Sequence, residues 1–136
     1  MKLSPRAAGM AGLCLMLTSL CAVASSSGAQ APPGLHSVRD GVYTEAQAAR
    51  GRVTFQDVCS VCHPDPLWRP SWRGKRVGEL YRFISRFMPD DNPRSLTGRE
   101  VVDVLAYIFS ANKLPAGATE MPDRYEDLVL IRIEDP

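Results

Sequence analysis

Cys59-Ser60-Val61-Cys62-His63 is the stretch on which this chain's reading turns. It spells C-x-x-C-H, the spacing of covalent c-type haem attachment. Two thiols separated by two residues can add across the two vinyl groups of one haem, and the adjacent imidazole then meets the iron as an axial ligand. Two other chemistries use the same residue types. A dithiol redox pair also has C-x-x-C, but within a strand–helix alternation that this sequence does not display. A zinc site would need a fourth ligand beside Cys59, Cys62 and His63, and the only other histidine is His36.

Haem attachment of this kind follows export, and the start of the chain is consistent with export. Lys2 and Arg6 precede an uncharged, mostly apolar run from Ala7 to Ala24. A charged end, an apolar stretch and a small-residue site make a secretory signal. Ala22-Val23-Ala24 sets cleavage after Ala24, giving a signal peptide over 1–24. Cleavage after Ala29 and retention of the run as a membrane anchor are the alternatives. A lipid on Cys21 is disfavoured by Leu20, which stands where a lipoprotein signal has a small residue. The expected location is periplasmic, with membrane contact only if the segment is kept.

The chain has 136 residues, 16 basic and 15 acidic. Removing 1–24 takes two basic residues and no acidic ones, so the mature chain carries a formal charge of −1. Of four cysteines, Cys14 and Cys21 leave with the signal. No thiol is left over for a structural disulfide. A composition 45% hydrophobic and 23% charged is that of one ordinary globular domain, and the charge balance excludes a nucleic-acid polycation.

Residues 25–40, rich in Ser, Gly, Ala and Pro, read as a flexible leader. A helix is expected over 44–58, with Thr44 as N-cap and Ala48, Gly51, Phe55 and Cys59 on one face. Gly51 inside it costs about 1 kcal/mol against Ala, which suggests that another backbone passes close by. Prolines 64, 66 and 70 mark 64–76 as loop. Gly78 to Phe87 is a short helix with Leu80, Phe83, Ile84 and Phe87 on one side, ended by Met88-Pro89. Thr97-Gly98-Arg99-Glu100 is a capping box that opens a helix to about Asn112, its stripe Val101, Val104, Leu105 and Ile108. Residues 118–136 form an acidic tail in which Leu128 to Ile131 is the one apolar run.

A sixth iron ligand has three candidates in the mature chain: Met88, Met121 and His36. Met88 follows an apolar helix and precedes Pro89, which would hold its loop, and is the assignment made here. A thioether ligand raises the haem potential.

With these residues in view, the chain resembles the small monohaem class I cytochromes c. Gly51, Phe55 and Cys59 on the first helix, and Val104-Leu105-Ala106-Tyr107 on the last, match the family's helix pair. Trp72-Arg73-Gly74-Lys75-Arg76-Val77-Gly78-Glu79-Leu80 is similar to the W-x-G-x-x-V-G-D-L run of a bacterial subgroup, and Met88 to Leu96 to its M-P-x-D-N-P-G-S-L. The resemblance covers about 42–117 and implies a cytochrome c domain over 41–117: an all-α fold, three to four short helices around one haem. It implies that the two helices cross at Gly51 near Tyr107, that Trp72 borders the haem, and that a proline carbonyl, of Pro66 or Pro70, holds His63. Two positions depart from the pattern, with Pro64 and Arg94 standing where the family has glycine.

Charge is unevenly distributed. Arg69, Arg73, Lys75, Arg76, Arg82 and Arg86 face only Glu79 over 69–86, a local net of +5, whereas the segment from Glu120 onward sums to −4. Such a basic stretch can steer an acidic redox partner or pair with haem propionates; a solvated face is the plain alternative. The expected activity is one-electron transfer on a haem c held by Cys59, Cys62, His63 and Met88, without enzymatic turnover. The resemblance implies a quinoprotein dehydrogenase and a respiratory terminal oxidase as redox partners, and no nucleic acid. The other readings are a haem enzyme or ligand sensor with an open sixth position, and a non-haem dithiol oxidoreductase.

Overall fold

Thr44 opens the first helix as its sequence position predicts. Its backbone is extended and its hydroxyl accepts the Gln47 N–H at 3.1 Å, satisfying one orphan donor of α1 (Glu45–Thr54). The structure, a computed structural model, describes residues 36–136; the expected signal peptide and the expected leader up to residue 35 lie outside the described residues. Beyond Thr54 the chain stays helical but widens into a π-turn, Phe55–Cys59, so the expected helix over 44–58 is met by two consecutive pieces.

The remaining helices are α2 (Val77–Phe87), α3 (Gly98–Ala111) and α4 (Tyr125–Leu128), with a 3-10 turn at Pro70–Trp72 inside the proline-rich loop. About half of the structure is helical and strand is scarce, compatible with an all-α fold. The capping box forms: Thr97 accepts the Glu100 N–H at 3.3 Å and the Glu100 carboxylate accepts the Thr97 N–H at 2.7 Å. Val101, Val104, Leu105 and Ile108 are buried as the stripe requires, and Val102, Ala106 and Phe109 are buried too. An amphipathic helix becomes apolar on more than one side when neighbours cover more than one side, and α3 packs against both α1 and α2.

The α1–α3 packing is close because Gly51 has no side chain. A β-carbon placed there would stand 1.7 Å from the Asp103 carbonyl oxygen and 2.8 Å from the Val104 nitrogen. The sequence reading paired Gly51 with Tyr107; the backbone that meets it is one turn earlier, and Tyr107 instead packs its ring on Phe55, centroids 5.2 Å apart. The buried Asp103 carboxylate accepts from Arg50 Nε and Nη2 at 2.9 and 3.0 Å, the bidentate partner that a desolvated charge needs.

The two ends of the described chain belong to the folded body. Residues 36–40, assigned from composition to the flexible leader, form strand β1 (His36–Ser37) and a 3-10 turn (Val38–Asp40), with Val38 fully buried. β1 pairs in parallel with β2 (Ile131–Arg132), His36 opposite Ile131. The acidic tail is likewise structural. Gln47 donates to the Met121 carbonyl at 3.0 Å and accepts its N–H at 2.8 Å, and Glu120 joins Arg50 and Arg99 at 2.9 and 2.8 Å.

Candidate functional site

The C-x-x-C-H motif leaves α1 through the π-turn, a distortion common where helices carry functional groups. Ser60 N–H donates to the Phe55 carbonyl at 2.9 Å, and the N–H groups of Cys62 and His63 both return to the Cys59 carbonyl, at 3.2 and 3.0 Å. The five motif residues are thereby wound into one tight turn at the helix end. Cys59 is half-buried against the core and Cys62 is exposed, both as free thiols.

The loop after His63 is fastened to α3 at two points. The Tyr107 hydroxyl donates to the Asp65 carboxylate at 2.6 to 2.8 Å, and the Asn112 side-chain amide donates to the Leu67 carbonyl at 3.0 Å. Burial and the neighbouring Asp65 hold the Tyr107 hydroxyl above its ordinary pKa, so it stays protonated and donates. Neither proline carbonyl nominated for His63 reaches its imidazole: among the described residues no hydrogen bond joins them, and the Pro70 carbonyl accepts Arg73 N–H at 3.0 Å.

This pinned loop and α2 enclose a cleft of about 390 Å³, within the range of small-molecule and cofactor sites. His63 and Met88 both line it, as does Trp72. Its apolar wall comes from Leu67 and Trp68 of the loop, Leu80 and Ile84 of α2, and Ile108 and Phe109 of α3. Ile133, just past β2, completes it. Of the three candidates for a second axial donor, only Met88 borders this space. Met121 is fully buried with its backbone bonded to Gln47, and His36 is paired into β1. Cys59 and Cys62 do not line the cleft; Cys62 directly precedes His63, which does, and Cys59 stands four residues before it.

The donor set can be tested against the chemistries of the motif. A dithiol oxidoreductase sets its attacking thiol at a helix N-terminus, where the dipole favours thiolate. Here Cys59 ends a helix, and burial pushes its thiol above the ordinary value. No three His, Cys, Asp or Glu side chains among the described residues group into a metal-binding cluster. A haem asks instead for one imidazole, one further soft donor, apolar walls and two thiols beside the imidazole. His63, Met88, the cleft walls and Cys59 with Cys62 have those properties.

No family model, curated protein or solved structure matches this chain. The cleft's own residues are the guide to its role. Sequence reasoning named His63, Met88 and Trp72 and missed most of the wall. Trp68, an aromatic in a proline-rich loop two residues from Pro70, was a signal that could have been used; Ile133 offered none, because its place depends on the pairing of β1 with β2. Among the described residues no helix is long and apolar enough to cross a membrane.

Proposed function

We propose that this protein is an exported, periplasmic carrier of single electrons, built like a small class I cytochrome c around one covalent haem. The observation that supports this best is that His63 and Met88, far apart in sequence, line one apolar cleft directly beside the C-x-x-C turn. The haem, when bound, supplies reversible ferric–ferrous chemistry.

Each part of the site has a task in this reading. Cys59 and Cys62 would anchor the group through thioether bonds, each thiol adding its hydrogen and sulfur across a vinyl double bond. The His63 imidazole and the Met88 thioether would hold the haem iron. Two protein donors would leave no open position for a substrate, which would separate a carrier from a haem enzyme or a ligand sensor. A thioether donor from Met88 would favour the ferrous state and lift the potential. Leu80, Ile84, Ile108 and Phe109 keep water out, and Tyr107 and Asn112 hold the His63 loop in position. Electrons would pass from a dehydrogenase, of quinoprotein type by the family resemblance, to a respiratory oxidase.

Purified mature protein tests this directly. Its mass should exceed that of the polypeptide by one haem, and acid-acetone should leave the colour on the chain. The ferric spectrum should carry the weak long-wavelength band of sulfur ligation. Colour that extracts freely, or a haem-free mass, would overturn the reading; a high-spin spectrum would favour the open-site enzyme or sensor.

A further inference from the structure

Trp72, Lys75 and Phe83 face two spaces. Besides the cleft, they line a shallow groove of about 560 Å³ along α2. The helix period sets its character: Phe83 and Phe87 are four residues apart, as are Arg82 and Arg86, so an aromatic stripe runs beside a cationic one. The rings form a ladder, Trp72 to Phe83 at 5.5 Å and Phe83 to Phe87 at 5.4 Å between centroids. They are not put away in the core, since Phe83 is 40% and Phe87 53% exposed.

Cations dominate the groove. Lys75, Arg76, Arg82 and Arg86 line it with Glu79 as the single carboxylate, and Glu79 is engaged by the Arg76 N–H at 3.3 Å. Outside the groove, Arg39, Arg50, Arg73, Arg99 and Arg124 each have a carboxylate partner, whereas Arg52, Arg69, Arg94 and Arg132 have none among the described residues. None of the four groove cations forms such a pair among the described residues. Lys75, Arg82 and Arg86 lie over the rings of Trp72, Tyr125 and Phe87 instead.

We propose that this groove is the docking surface for an acidic protein partner whose carboxylates flank an exposed aliphatic or aromatic side chain. The proposal rests on the electron-carrier reading and names the surface through which that carrier meets its partner. Carboxylates would meet Arg82, Arg86, Lys75 and Arg76, while the apolar side chain covers Phe83 and Phe87. A concave groove fits a protruding protein segment; a flat anionic bilayer would need a convex or planar basic face. Position favours exchange, because the shared side chains of Trp72, Lys75 and Phe83 are the wall between the groove and the cleft. Complementary charge acts mainly on encounter, so salt should weaken it over a screening length of about 8 Å at physiological ionic strength.

The probe is a synthetic peptide, acetyl-Glu-Asp-Phe-Glu-Asp-Leu-Glu-amide, titrated at low ionic strength into isotope-labelled mature protein in the ferrous state and followed by NMR. A control peptide carries Ser in place of its Phe and Leu, and vesicles of pure phosphatidylglycerol are a third arm. The acidic-apolar peptide should shift the Trp72 indole and the Phe83 and Phe87 signals saturably, and the control peptide should bind more weakly. Arg82→Glu with Arg86→Glu should weaken binding on the order of tenfold without altering the visible spectrum, since neither residue lines the cleft. Should that double variant unfold, Phe87→Ser and the salt dependence of the unaltered protein test the same surface. Shifts confined to other faces, equal binding of the control peptide, or preferential binding of the vesicles would each overturn the proposal. The spectrum and mass judge the haem separately, so a bound haem with a silent groove defeats this inference alone.

Discussion

Gly51 of α1 lies so close to Asp103 of α3 that a single added carbon would overlap the Asp103 carbonyl oxygen at 1.7 Å. The obstacle is backbone on both sides, and backbone in a helix cannot turn aside as a side-chain tip does. Gly51→Ala should therefore destabilise by about 2–3 kcal/mol, the upper part of the overpacking range, although alanine is the better helix former. For a domain of this size that is a fall in Tm of roughly 10–20 °C. An unchanged Tm would show that α1 and α3 can move apart freely. Gly51→Leu should be at least as costly.

Met88 and Met121 give opposite expectations under substitution. Met88→Ala should erase the sulfur-ligation band and lower the reduction potential while leaving the fold largely intact, because Met88 is only partly buried at the end of α2. Met121→Ala should keep the band and cost about 2–5 kcal/mol, since it empties a fully buried core position. Spectra and melts of the two variants, recorded side by side, check both halves; a band lost with Met121 would move the sixth ligand there.

Arg94 has φ 68° and Lys113 φ 65°, the left-handed region that disfavours residues bearing a β-carbon. Arg94 stands where the resembled family has glycine, and the backbone still takes the conformation glycine would allow. Arg94→Gly relieves a left-handed penalty of about 1–2 kcal/mol against a glycine entropy cost of about 0.5–1 kcal/mol, so it should raise stability by about 0.5–1 kcal/mol, and Lys113→Gly should do the same just beyond α3. Chemical denaturation is the suitable measurement, with an unchanged slope as the sign that only stability moved.

Acid should loosen the molecule at identifiable places. The Glu100 carboxyl is held below the usual carboxylate range by the Thr97 N–H, and Glu120 by the Arg50 guanidinium. A folded-state pKa below the unfolded one contributes stability that is present above the unfolded value and lost as pH falls through the folded one. Tm should hold steady near neutrality and fall from about pH 4.3 downward. Glu100→Gln should lower Tm at neutral pH by the equivalent of about 0.5 kcal/mol and flatten the acid limb. An acid limb identical in the variant would assign it to other groups.

What could be read beforehand was what local chemistry dictates. Thr44, Thr97 and Glu100 announce helix starts because a cap is satisfied within four residues, and Gly51 suggests a close crossing because a glycine inside a helix carries a cost, with a merely tolerated glycine as the plain alternative. Local motif chemistry named His63 and Met88, and the family resemblance added Trp72. Local logic failed where distant segments meet. Val38 sits in a stretch whose composition suggests a loose leader, yet it is buried. Which residue faced Gly51 was missed by one helical turn, since a helix face leaves the neighbouring Asp103 and Tyr107 equally eligible. Ile133 joins the cleft only because a two-residue strand finds His36 at the other end of the described chain.

That last pairing has a consequence for access to the cleft. Ser37 and Glu134, whose side chains meet at 2.8 Å, are 97 positions apart, and the Ile133 carbonyl and N–H are tied to Gly74 and Lys75. Each of these contacts closes a large loop of chain, and its entropic cost has to be met by what the docked segment buries. Without this clasp the cleft lacks its Ile133 side. On the haem reading proposed above, release of the last residues would open the pocket on that side without disturbing the close contact of Gly51 with Asp103, so the segment from Ile131 onward would act as a latch on the cleft.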